Sequence, residues 1–136
     1  MFFESMHPRW QALLAEHRPV LEELENRLLT YEKSKDVSAP SIAPPLPLVM
    51  RAFADDPANI RVLLVGQDPY PTEGHAIGLS FAVATERKQL PRSLKNMMKE
   101  LASDIPSATS GGELIRWQSQ GVMLLNRHLT TLVGAT

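Results

Sequence analysis

The apolar run Ile60-Arg61-Val62-Leu63-Leu64-Val65 breaks off in the polar turn Gly66-Gln67-Asp68-Pro69-Tyr70, and this junction constrains the fold more than any other feature of the chain. A short continuous apolar segment with turn formers at its end predicts a strand buried on both faces over 60–65. Strands of that kind belong to parallel sheets covered by helices. A second such run, Val122-Met123-Leu124-Leu125, ends in Asn126. Between the two, Leu94, Met97, Met98 and Leu101 recur at helical spacing from a start near Ser93. Ser110-Gly111-Gly112-Glu113 matches a capping box for a further helix, which Gly121 is placed to stop. Buried strands separated by helices predict an α/β fold, an open, mostly parallel sheet with helices on both faces.

The remaining chain reads less regularly. Trp10, Leu13, Leu14, Leu21, Leu24, Leu28 and Tyr31 predict two amphipathic helices broken near Pro19. Residues 38–47 contain Pro40, Pro44, Pro45 and Pro47, which remove donors and fix φ, so this stretch is expected to be an extended connector. A short helical segment is expected over 48–53, before the turn at Asp55-Asp56-Pro57. Leu79, Phe81 and Val83 alternate with small residues and predict a short strand or extended segment. After Leu129 no further helix or strand is evident, and two or three strands make a poor parallel sheet. The expectation is a single domain over 1–136 whose sheet is incomplete at its C-terminal end.

A chain of 136 residues, 43% hydrophobic and 21% charged, has the composition of one globular domain. No apolar run approaches the roughly eighteen residues that suggest a membrane span, and Met1-Phe2-Phe3-Glu4-Ser5 lacks the basic flank of a signal peptide. A soluble cytoplasmic protein with no membrane partner is therefore expected. The absence of cysteine removes disulfides and thiolate chemistry. His7, His17, His75 and His128 show no ligand spacing, so metal chemistry is not expected. With a net charge of −1, any attraction to nucleic acid must come from a local groove.

Asp68 and Asn126 end separate strands, and in a parallel sheet both would face the crevice where ligands bind. Each can equally be read as a cap of its own turn through an Asx-type bond. Taken together, Val65-Gly66-Gln67-Asp68-Pro69-Tyr70, Gly78-Leu79-Ser80-Phe81, Leu90-Pro91-Arg92-Ser93-Leu94 and Gly121-Val122-Met123-Leu124-Leu125-Asn126 resemble, in order and spacing, the motifs of the uracil-DNA glycosylase family of the family 1 type. His7-Pro8-Arg9-Trp10 and Val49-Met50-Arg51-Ala52-Phe53 also resemble segments of that family, so the likeness extends over essentially the whole chain.

The resemblance implies an N-glycosyl hydrolase of DNA base excision repair, acting on uracil in single- or double-stranded DNA without a metal or organic cofactor. It implies Asp68 as the catalytic, water-positioning carboxylate. Gln67, Tyr70, Phe81 and Asn126 would bind uracil: Gln67 through its backbone, Tyr70 against C5, Phe81 by stacking and Asn126 by its amide. Pro91 and Ser93 would meet a DNA phosphate. A monomer and a DNA-mimicking inhibitor protein as a partner are further implications. Arg92 and Pro71 depart from the family, which often has proline and histidine there. Family members also continue with further strands, a glycine-serine loop and a His-Pro-Ser-Pro loop that supplies a histidine and a leucine. These are absent from 1–136, and His128 is a poor stand-in. The chain is thus expected to be an N-terminal portion with its own activity in doubt. The alternatives are a non-catalytic nucleic-acid or nucleotide-binding α/β module, or a chain whose sheet is completed by a partner.

Overall fold

The computed structural model describes residues 1–84, 90–105, 112 and 114–135. The N-terminal region is helical: α1 (Phe2–Ser5), α2 (Pro8–Leu13) and α3 (Arg18–Ser34). The expected break falls at Leu14 and the 3-10 turn Ala15–His17, one step before Pro19. Pro19 sits in the first turn of α3, where its missing N–H has no intrahelical partner to lose. Helix α1 was not expected from the sequence. It is held by the buried Glu25 of α3, whose Oε2 accepts the Phe2 N–H at 2.9 Å.

The proline-rich stretch is not merely extended. Ile42–Ala43 forms a short strand, β1, paired antiparallel with β4 (Thr131–Leu132) near the other end of the chain. Short 3-10 turns follow at Leu46–Leu48 and Arg51–Phe53, as the helical expectation for 48–53 had it.

Strands β2 (Val62–Gly66) and β3 (Val122–Asn126) pair in parallel, in a register that sets Val62 beside Val122 and Gly66 beside Asn126. Helix α4 (Arg92–Asp104) and the short α5 (Ile115–Gln118) lie between them in sequence. Gly121 turns the chain from α5 into β3 with φ +90°, and its N–H closes on the Gln118 carbonyl. The capping-box residues Ser110, Gly111 and Glu113 fall outside the described residues.

In two further places the structure departs from expectation. The first is burial: Val62, Leu63 and Val65 are 54%, 54% and 55% exposed, because among the described residues β2 has β3 as its only strand neighbour. The second is the segment 79–83, which forms only an isolated antiparallel bridge between Ala76 and Val83. Gly78 and Phe81, with φ of +79° and +63°, interrupt any longer extended run.

Two clusters form the core. Leu79, Ala82, Val83, Leu94, Leu114, Met123 and Leu124 bury the segment after Gly78 between α4 and β3. Phe2, Phe3, Met6, Val49 and Met50 seat the N-terminal helices. Trp10 and Phe53 pack against both and meet edge to face with centroids 5.3 Å apart.

Candidate functional site

At the carboxyl ends of β2 and β3 the backbone ladder continues past the strands: Arg127 N–H donates to the Gly66 carbonyl and His128 N–H to the Gln67 carbonyl, each at 2.9 Å. The chain therefore leaves both strands side by side. A side chain at position 66 would overlap Asn126 Oδ1 and stand 2.9 Å from Ser80 Cβ, so only glycine lets the Asn126 amide lie across the end of β2.

A small, shallow pocket opens there. Asp68, Tyr70, Phe81 and Asn126 line it, together with Pro69, Ala76, Gly78, Leu79 and Ala82. The two polar strand ends and the two aromatic side chains singled out in the sequence are thus brought into one place. Gln67 is exposed, outside the lining, with its carbonyl already used by His128. Among the described residues the Asp68 and Asn126 side chains have no protein hydrogen-bond partner, and the turn-capping reading finds no bond to support it.

Tyr70 organises the rim. Its hydroxyl donates to the Phe81 carbonyl at 3.1 Å and lies 3.0 Å from Ser93 Oγ. With the phenol proton on the Phe81 carbonyl, Ser93 is the donor in the second bond. Burial pushes the Tyr70 phenol above its ordinary pKa, and the bond with Ser93 offsets this in part. Ser93 is not the helix cap: Pro91 caps α4 and Arg92 is its first residue, so the serine hydroxyl is free to meet Tyr70. Pro91 and Ser93 lie at the helix start, outside the pocket lining.

Phe81 holds its ring from a left-handed backbone, a conformation that costs a non-glycine residue of order 1–3 kcal/mol. Strain of this size persists where surroundings over-determine it. Here the Tyr70 hydroxyl grips its carbonyl and the preceding Ser80 is locked, with its N–H on the Leu124 carbonyl at 3.1 Å and its hydroxyl on the Leu64 carbonyl at 3.2 Å. Ser80 is fully buried and ties the pocket segment to both strands. It lies inside the Gly78-Leu79-Ser80-Phe81 motif, but serine alone does not signal such a role.

In chemical terms the pocket has apolar walls, an aromatic ring, an amide with free donor and acceptor, and an exposed carboxylate. A small, flat, polar ring fits that chemistry, with the carboxylate able to hold water beside it. Among the described residues no group of histidines and carboxylates is arranged to hold a metal ion.

No protein-family model matches the chain. Over 89 residues, 65% of this chain and 40% of the relative, it is 55% identical to a uracil-DNA glycosylase of Mycolicibacterium gilvum. A uracil-DNA glycosylase of Mycobacteroides abscessus is 42% identical over 132 residues, 96% of this chain and 57% of that protein. Among solved structures, a variant of the mimivirus enzyme UNG in complex with UGI superposes with a TM-score of 0.83 at 25% identity, over 99% of this chain and 52% of the other. The chain spans about half the length of the curated relatives it matches.

Proposed function

We propose that this chain, which belongs to the uracil-DNA glycosylase family, serves hydrolysis of the N-glycosidic bond of deoxyuridine in DNA, releasing free uracil and leaving an abasic site. The observation that carries this reading is the convergence of Asp68, Tyr70, Phe81 and Asn126 on one pocket at the end of the parallel pair. Relatives named for the glycosylase activity leave a non-catalytic module without comparable support.

Cleavage of the bond builds positive charge on the sugar and negative charge on the departing base. Asp68, exposed and without a partner among the described residues, orients and polarises the attacking water, and its charge favours an oxocarbenium-like sugar. The target base leaves the duplex to reach the pocket, where stacking and its polar edge identify it. Phe81 supplies the stacking face. The Asn126 amide donates to uracil O4 and accepts from N3–H, a pattern that cytosine reverses. Tyr70, fixed from two sides, abuts C5 and leaves no room for the thymine methyl.

Gln67 contributes its backbone N–H, since its carbonyl is taken by His128. Pro91 and Ser93, at the start of α4, receive a phosphate of the same strand, where free N–H groups and the helix dipole favour an anion. A monomer working in the cytoplasm and open to a DNA-mimicking inhibitor completes the reading. The complex of the mimivirus relative with UGI supports the last point, and the lack of cysteine suits a reducing compartment.

The test is release of free uracil from a deoxyuridine oligonucleotide by the full-length protein. Asp68→Asn should lower the rate by about 10²–10⁴ with the fold intact. A folded protein that releases no uracil overturns the proposal.

A further inference from the structure

Helix α4 is charged on one side. At about 100° per residue, Arg92, Lys95 and Lys99 fall within an arc of about 60°, with Asn96 and Ser103 beside them. All five are exposed. The opposite side carries Leu94, which is fully buried, and Met98, which packs on the same core cluster, so the helix cannot rotate its cations inward. Its acids, Glu100 and Asp104, stand on the adjoining flank. Among the described residues none of the three cations is engaged in an ion pair or hydrogen bond with a side chain. In a chain of net charge −1, three unneutralised cations on one helical face are a local feature.

This face begins at the pocket. Arg92 opens the helix beside Ser93, whose hydroxyl is 3.0 Å from that of Tyr70 on the pocket rim. From Arg92 to Lys99 the helix rises about 10.5 Å, enough to carry its cations beyond the phosphate at its start. We propose that the exposed face of α4 is a track for the phosphodiester backbone leaving the pocket, with Lys95 and Lys99 neutralising phosphates beyond the one at the helix start. The inference rests on the uracil-excision reading for the position of the DNA. Long side chains with charged tips and no base edge to read give affinity without sequence preference.

The experiment compares the full-length protein with its Lys95→Gln/Lys99→Gln variant, two exposed changes outside the pocket and the core. Binding of a long duplex bearing an abasic-site analogue is measured across a salt series. The slope of log K against log salt should become shallower by about 1–2 in the variant, roughly one per lost phosphate contact. Uracil release from the long duplex should lose about tenfold in kcat/KM at low salt, while release from a uracil dinucleotide, whose single phosphate is the one at the helix start, stays at the parent value. An unchanged slope in a protein that still releases uracil overturns the track. Loss of binding to phosphatidylserine vesicles with an unchanged DNA slope also overturns it, in favour of a membrane contact. If the parent binds DNA but releases no uracil, the excision reading fails, and a shallower slope in the variant still supports the track.

Discussion

The hydroxyl of Tyr70 joins the carbonyl of Phe81, in left-handed backbone, to the hydroxyl of Ser93 in the first turn of α4. One phenolic oxygen therefore links three elements of the candidate site. Tyr70→Phe keeps the ring and removes both bonds, leaving the Phe81 carbonyl without its donor. A loss of about 1–3 kcal/mol is expected, read from urea unfolding, with uracil release falling further than stability because Phe81 is freed to relax.

The same hydroxyl gives a pH dependence with a definite sign. Burial raises the Tyr70 pKa, so the folded state favours the neutral phenol. Its contribution is complete below the ordinary tyrosine value of about 10 and is lost as pH rises through the higher folded value. The stability gap between the parent and Tyr70→Phe should therefore be constant at neutral pH and shrink only under strongly alkaline conditions, as followed by unfolding at a series of pH values.

Specificity separates the roles of two pocket residues. Removing the ring in Tyr70→Ala should admit thymine, with thymine release appearing from a duplex that the parent leaves intact. Asn126→Asp places an acceptor where the amide donated and should shift preference toward cytosine. Release of each base is assayed by chromatography, and unchanged base preference in both variants would remove the assigned roles.

Gly66→Ala inserts a methyl group into space filled by Asn126 Oδ1 and lying 2.9 Å from Ser80 Cβ. The amide is the softer neighbour and must move. A displacement near 1 Å in a positioning group costs about 10²-fold in rate, so uracil release should fall by that order while the unfolding midpoint moves modestly.

Glu32 links α3 to β1 by accepting the Ile42 N–H at 2.7 Å, and this bond, with help from Lys35, holds its carboxyl below the usual glutamate range. A lowered folded pKa means that the contribution is present above the unfolded value of about 4.3 and is lost as pH falls through the folded one. Glu32→Ala should cost about 1–3 kcal/mol at neutral pH and much less in acid, measured by urea unfolding at both.

The central elements were legible because local chemistry and tertiary role coincide in them. The run before Gly66 and the run before Asn126 are strands, and Leu94 and Met98 mark the buried side of a helix. Pairing over long sequence distances was not legible: nothing in Ile42-Ala43 indicates Thr131-Leu132 as its neighbour, and Phe2 does not announce Glu25. Burial of β2 was overestimated because apolar composition reports what a strand can tolerate, whereas the exposure of Val62, Leu63 and Val65 depends on which neighbours are present. At the site, residue types pointed to Asp68 and Asn126. The strain at Phe81 and the double tie of Ser80 exist only in the folded backbone.

The ladder that runs from Val62 beside Val122 to Gly66 beside Asn126, and on through Arg127 and His128, also decides how the pocket can drift over time. Sliding one strand along the other would require several main-chain bonds to break together, whereas exchanging one core side chain for another of similar volume breaks none. The gap between the Asp68 turn and Asn126 is therefore gauged by main-chain geometry and buffered against turnover of the interior. A protein built this way can change much of its sequence and still present the same opening at the strand ends.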